Sequence, residues 1–186
     1  MNNHQQQRPR SAPLTGIILA GGQARRMGRD KAEILFRGKS LLDRAINLLC
    51  SLPVDDIVVL GREGAEHGVA DETPHLGPAR AIKAWLERQP KPAHLIVIPV
   101  DMPALGHDQL NRLLTQPGGA YYHDLYLPFY APNAQMNRLK DNIVRMRDIL
   151  SGFQLTELKA PSEWRAPLMN VNTPEDLHTL EQTFPE

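Results

Sequence analysis

The sequence predicts an α/β fold built on a mostly parallel sheet covered by helices on both faces, and two observations carry that prediction. Short, continuous apolar runs rich in β-branched residues recur at Gly16 to Ala20, Ile57 to Leu60 and Leu95 to Val100, as strands buried on both faces read. Between them lie stretches with apolar residues at helical spacing, giving the alternation β, α, β, α, β.

The opening residues, 1–13, are polar and aperiodic and are expected to form a disordered tail, leaving 14–186 as one domain. Gly16 to Ala20 is the first strand, ended by Gly21-Gly22. Leu41 to Leu49 is a helix by its spacing, and so is Ala79 to Leu86, where Gly77-Pro78 supplies the start signal. After the third strand the pattern predicts a helix over His107 to Leu114, a break at Gly118-Gly119, and a strand over Tyr121 to Tyr130. Asn137 to Leu150 reads as a helix and Phe153 to Leu158 as a short strand. The final helix opens with Thr173 as N-cap and Pro174 at its first position.

Composition narrows the function. The 186 residues are 41% hydrophobic and 23% charged, which suits a packed globular chain. Lys+Arg and Asp+Glu both number 21, so no summed positive field would hold a nucleic acid or an anionic membrane. The single cysteine, Cys50, excludes an intrachain disulfide and any multi-cysteine metal site, and makes a reducing, cytoplasmic setting the simplest expectation. It ends an apolar helix face and is expected to be a small buried hydrophobe. No apolar run approaches a membrane span or the core of a secretory signal.

Parallel sheets bind ligands outside the carboxyl ends of their strands, so the ends of the first and third strands are where chemistry is expected. After the first strand stands Leu19-Ala20-Gly21-Gly22-Gln23-Ala24-Arg25-Arg26-Met27-Gly28-Arg29-Asp30-Lys31. Paired glycines turn the backbone sharply and bare its N–H groups to phosphates, while Arg25, Arg26 and Lys31 add cations to the same loop. The spacing is neither the dinucleotide fingerprint nor the P-loop. A surface turn with solvated charges is the plain alternative, and the position after a buried strand favours a phosphate site over it.

Asp101, in Pro99-Val100-Asp101-Met102-Pro103, follows the third strand, where one carboxylate suits a phosphate-assisted Mg²⁺. A turn-capping aspartate is the alternative there. Asp71, in a Pro/Gly loop, has no role on spacing alone. Trp85 is expected in the core, Trp164 is left without a role, and the histidines show no metal-ligand spacing.

Taken together, Leu-Ala-Gly-Gly-x-x-x-Arg-Met-Gly-x-Asp-Lys, an Asp before a Gly-Pro, Asp-Met-Pro after a strand and the terminal Asn-Val-Asn-Thr-Pro-Glu-Asp-Leu resemble the molybdenum cofactor guanylyltransferases, over Gly16 to about Leu180. The resemblance implies a three-layer Rossmann-like nucleotide-diphospho-sugar transferase fold with a mostly parallel mixed sheet. It also implies GTP and molybdenum-loaded molybdopterin as substrates, the guanine dinucleotide form and pyrophosphate as products, Mg²⁺ as cofactor, and transient contact with molybdoenzymes or their chaperones.

By the same pattern Leu19, Ala20, Gly21 and Gly22 line the nucleotide, Lys31 meets phosphate, Asp71 contacts the nucleotide, Asp101 binds Mg²⁺, and Asn170 and Asn172 lie near the pterin. Arg25, Lys31 and Asp101 are the expected catalytic set. Gly21 stands where cytidylyltransferase relatives have alanine, which favours GTP over CTP. The chain departs from the pattern at Leu60, where a small polar residue is common and for which Gly61 through its backbone or Arg62 through its side chain is the expected substitute; at Arg80, within Gly77-Pro78-Ala79-Arg80-Ala81; and at Leu127, before Pro128, where the pattern has histidine. A relative using CTP or a sugar phosphate, and a nucleotide-binding protein without turnover, are the alternative readings.

Overall fold

The computed structural model describes residues 12–21, 30–69 and 77–184. Gly22, Arg25, Arg26, Asp71 and His75 lie outside the described residues.

Strands β1 (Leu14–Leu19), β4 (Asp56–Leu60) and β6 (Ala93–Pro99) form the parallel centre of the sheet. Every residue of β1 and β6 is buried, which is why both read as unbroken apolar runs. Alternation sends their side chains to two cores. Leu14 and Ile18 of β1 and Ile96 and Ile98 of β6 face one; Ile17, Leu19, Leu95 and Val97 face the other.

Helices α1 (Leu41–Cys50), α3 (His107–Leu114) and α5 (Pro174–Thr183) close the first core, and α2 (Pro78–Glu87) and α4 (Met146–Gly152) the second. Three layers result. The remaining strands are β2 (Leu35–Phe36) and β3 (Lys39–Ser40), a separate hairpin, with β5 (Gly68–Val69), β7 (Ala120–Tyr122), β8 (Phe129–Ala134) and β9 (Thr156–Leu158). The main sheet runs β5-β4-β1-β6-β8-β7-β9. Only β8 opposes its neighbours β6 and β7, so the sheet is mixed but mostly parallel, as expected. Because β7 and β9 are parallel to each other and antiparallel to β8, their carboxyl ends lie on the same edge of the sheet as those of β1, β4 and β6.

Helix starts follow the capping residues. Ser40 accepts from the Asp43 N–H at the start of α1, and Thr173 from the Asp176 N–H at the start of α5. The structure redraws three expected elements. Tyr121 to Tyr130 is two strands, because the chain turns through Asp124 at positive φ before re-entering the sheet as β8. Over Asn137 to Leu150, buried Leu139, Ile143, Met146 and Leu150 keep helical spacing, yet only a 3-10 turn at Met136–Arg138 and α4 are helical. Asp148 sets the boundary, since its carboxylate accepts the Val144 and Arg145 N–H groups and starts α4 there. Phe153 is fully buried beside α4, which delays β9 to Thr156.

Cys50 is corrected: it is exposed. The buried stripe of α1 is Leu41, Ala45 and Leu49, and one further residue rotates Cys50 about 100° off it. Trp85 is buried as expected, and Trp164 stands edge-on to Tyr122 with ring centroids 5.9 Å apart, a packing anchor for β7. Among the described residues no helix is long and apolar enough to cross a membrane.

Tyr122 is fully buried and its hydroxyl donates to the Gln109 carbonyl at 2.6 Å. Burial pushes its pKa up to about 12, against a smaller opposing pull from Arg112. The unfolded chain ionises this group near pH 10 while the native state keeps it neutral, so the stability it contributes is complete below about pH 10 and is lost as pH rises toward about 12. Tyr122→Phe should cost about 1 kcal/mol at neutral pH and abolish this alkaline slope, both read from denaturant unfolding across pH.

Candidate active site

The three central strands end level with one another. Leu19 of β1 pairs with Leu60 of β4 and with Pro99 of β6. Just beyond, the Val100 N–H donates to the Leu19 carbonyl at 3.1 Å and the Ala20 N–H to the Leu60 carbonyl at 3.0 Å. Leu19 and Ala20 are buried, the Leu19 carbonyl and the Ala20 N–H being taken by the neighbouring strands; Gly21 is the first exposed residue past the strand.

Gly61, at φ +89°, lies directly against it. A methyl group at Gly61 would come within 2.4 Å of the Gly21 Cα and 2.6 Å of its nitrogen. Both the positive φ and the close approach exclude a side chain. Here the absence of a Cβ lets two strand ends converge.

Asp101 follows β6 in a turn braced from α1, whose Arg44 Nε donates to the Pro103 carbonyl at 3.1 Å while its guanidinium lies over the Phe36 ring. Lys31 stands near the start of the next described segment, which opens at Asp30. It opens a 3-10 turn, Lys31–Glu33, capped by Asp30, whose Oδ1 accepts the Ala32 N–H at 3.0 Å. Buried Ala32 and Ile34 anchor this turn in the core. Arg62, two residues past β4, donates to the other Asp30 oxygen at 2.6 Å and to Glu33 at 3.3 Å. The lysine is thus held at its base by a capping carboxylate that is itself held by an arginine.

The Lys31 ammonium reaches Asp101 Oδ2 at 2.9 Å and Asn172 Oδ1 at 2.7 Å, residues 70 and 141 positions away in sequence. The ion pair is only 23% and 21% exposed at its two side chains, so it lies in the partly enclosed regime where screening is incomplete. Asn172 is delivered by the approach to α5. The buried Val171 donates its N–H to the Asp101 carbonyl at 2.8 Å, and Asp176 Oδ2 accepts the Asn172 and Thr173 N–H groups, each at 2.8 Å.

Sequence reasoning named Lys31, Asp101 and Asn172 separately, and the structure brings them into contact. Asn170 is half-buried two residues earlier and makes no hydrogen bond to this cluster among the described residues. Leu60 points into the second core, Arg80 is half-buried in the first turn of α2, and Leu127 is half-buried against the second core. Arg62, expected as a substitute for Leu60, is instead engaged with Asp30, a contact without a local signature; missed from sequence were that contact and Asp176. The latter was legible as a capping-box acid three residues after Thr173.

Chemically, the cluster offers a carboxylate and an amide oxygen converging on one cation, at the carboxyl edge of the parallel strands where Gly21 is exposed. Among the described residues no group of three or more His, Cys, Asp or Glu could hold a metal. A dedicated protein cage is therefore not built from them.

The MobA-like NTP transferase domain matches residues 16–132. The chain belongs to that family. It is 30% identical over 184 residues to the molybdenum cofactor guanylyltransferase of Xanthomonas euvesicatoria pv. vesicatoria (strain 85-10), covering 94% of this chain and 97% of that one. A probable molybdenum cofactor guanylyltransferase of Opitutus terrae is 29% identical, with 89% and 94% covered. In fold, the chain resembles the molybdopterin-guanine dinucleotide biosynthesis protein A of Archaeoglobus fulgidus, with a TM-score of 0.64, 22% identity and 91% and 97% covered. It also resembles a nucleotidyl transferase of Methanothermobacter thermautotroptrophicus, with a TM-score of 0.69, 14% identity and 92% and 99% covered. The expected three-layer nucleotidyltransferase fold is thereby borne out, and the Lys31–Asp101 cluster sits in a MobA-like domain.

Two changes test how this site is held. Gly61→Ala should destabilise the chain by more than about 1 kcal/mol, from positive-φ strain plus the clash with Gly21, as measured by thermal or denaturant unfolding. The Asp176 carboxyl is held below the ordinary aspartate range by the Asn172 N–H first, then the Thr173 N–H, with Lys31 adding a smaller pull against the opposing desolvation. A depressed carboxylate stabilises the fold above the unfolded pKa and loses that contribution as pH falls through its native value. Wild type should therefore lose melting temperature more steeply than Asp176→Asn as pH drops below about 4; equal slopes would show that the cap contributes nothing.

Proposed function

We propose that this chain transfers the guanylyl group of GTP to the terminal phosphate of molybdenum-loaded molybdopterin, releasing pyrophosphate and forming the guanine dinucleotide cofactor. The observation that carries the reading is the convergence of Lys31 and Asp101 beside the Gly21 turn, in a chain of the MobA-like family whose relatives bear that activity in their names. The acting unit is a single domain over residues 14–186, in a cytoplasmic setting.

In the reaction an acceptor phosphate oxygen attacks the α-phosphorus of GTP, the α–β bridging P–O bond breaks, and pyrophosphate leaves with the electron pair. The nucleophile is already an anion near neutral pH, so no general base is required and positioning and charge neutralisation carry the catalysis. Gly21 and Gly22 are assigned to let the backbone approach the triphosphate, Leu19 and Ala20 to line the nucleotide, and Asp71 to contact it. Lys31 and Arg25 offset charge developing on the α-phosphate and on the departing pyrophosphate. Asn170 and Asn172 stand on the acceptor side.

The donors suit Mg²⁺. Asp101 and Asn172 present hard oxygens, and both already converge on a cation, the Lys31 ammonium. A single carboxylate leaves the remaining positions to phosphate oxygens and water, the usual arrangement for this ion. Asp101 would hold it, where its chemistry is to polarise and orient the triphosphate.

Lys31→Ala and Asp101→Ala should each lower pyrophosphate release by about a hundredfold or more, the scale of one lost electrostatic contact in a transition state. Activity within a few-fold of wild type would refute the assigned roles. With molybdopterin as acceptor, GTP should outperform CTP and ATP, and a clear preference for CTP would displace the guanylyl assignment.

A further inference from the structure

The Lys31 ammonium occupies the point on which the Asp101 carboxylate and the Asn172 amide oxygen converge, at 2.9 and 2.7 Å. We propose that Lys31 is the resident counter-cation of the Asp101 site, exchanging places with the divalent ion when a triphosphate arrives, so that the metal alone binds poorly and the metal with nucleotide binds well. This rests on the reading of Asp101 as the cation ligand given above.

Charge sets the two occupants against each other. An ion bound to Asp101 at about 2.1 Å would lie within roughly 4 Å of an ammonium still hydrogen-bonded to the same carboxylate, and repulsion between a divalent and a monovalent cation at that range is strong in a partly enclosed site. The ammonium and the metal therefore compete for the carboxylate. In the free site the lysine's two oxygen partners are already in place, pre-positioned by other contacts.

A nucleoside triphosphate changes that balance. Its oxygens offer the lysine new anionic partners on the Gly21 side and bring the metal's remaining ligands with them. The flexible four-carbon stem of lysine permits the move, whereas the base of the side chain stays fixed by the Asp30 cap and the Arg62 ion pair. The carboxylate then keeps a cationic partner throughout, the ammonium first and the metal afterwards. The exchange couples metal binding to nucleotide binding through one side chain.

The test uses Mn²⁺ as the probe ion, its binding counted by electron paramagnetic resonance of the free ion, on full-length wild type and three variants. Without nucleotide, Lys31→Met should bind Mn²⁺ about tenfold or more tightly than wild type, the equivalent of one charge-assisted hydrogen bond removed from the competition. Lys31→Arg, which keeps the charge, should stay near wild type. With an α,β-methylene analogue of GTP present, wild type should gain Mn²⁺ affinity markedly, while Lys31→Met gains little and binds the analogue more weakly. A Lys31→Met protein whose Mn²⁺ affinity equals or falls below that of wild type overturns the exchange; if the methionine variant does not fold, Lys31→Gln is read in the same way. Asp101→Asn separates this idea from the reading beneath it. Loss of Mn²⁺ binding in that variant, with no gain in Lys31→Met, sinks the exchange alone. Undiminished Mn²⁺ binding and pyrophosphate release in Asp101→Asn would remove the metal from Asp101 and both proposals' use of it.

Discussion

The parallel pairing of β1 with β6 is the constraint on which the site depends. Its register sets Leu19 opposite Pro99, and the next rung, from the Val100 N–H to the Leu19 carbonyl, ends the strands together. Only past that line does the backbone leave the sheet, toward Gly21 on one strand and Asp101 on the other. Alternation makes the register unforgiving: Leu95 and Val97 belong to one core, Ile96 and Ile98 to the other. A slip of one residue would exchange those cores and turn the strand end that carries Asp101 to the other face of the sheet. The buried faces therefore position the acid without any polar contact in the strand itself.

Beyond the strands, precision comes from pairs of contacts in which one group holds another. The lysine is fixed at its base by Asp30, and Asp30 by Arg62. The Asp101 turn is held by Arg44 through the Pro103 carbonyl, and by Val171 through the carbonyl of Asp101 itself. Asn172 is held by Asp176, which also receives the Thr173 N–H and so serves the helix start and the site at once. Three segments far apart in sequence meet at one ammonium because each is anchored independently, leaving the ammonium's own contacts free to break and re-form.

Much of this was legible in the residues. Doubly buried strands announce themselves as apolar runs, which is why β1, β4 and β6 and the helices between them were placed close to their observed positions. Thr173-Pro174 marked α5 because capping chemistry is local. Legibility failed where long-range packing overrode a local pattern. Leu139, Ile143, Met146 and Leu150 keep helical spacing, yet most of that segment is not helix, since Asp148 starts α4 only at Met146. Cys50 looked buried from its apolar neighbours and is turned outward by a single step of helix rotation. At the site, Lys31 and Asp101 could be named from their motifs, but their contact is a product of topology. Arg62 carries no motif, and its role follows from where β4 ends.

That end also bears on how the chain departs from its family's pattern. Leu60 cannot reach a ligand: its side chain lies in the core beneath α2 and its carbonyl is bound to Ala20. Arg62 is engaged with Asp30 and Glu33, holding the turn that presents Lys31. What β4 offers at the mouth of the site is therefore the backbone of Gly61, pressed against Gly21 with no room for a Cβ at Gly61. A polar side chain at that position would read a ligand through hydrogen bonds that a rotamer change can lose. Two abutting glycines instead fix the shape of the backbone there, and the arginine that follows steadies the base of Lys31 through Asp30.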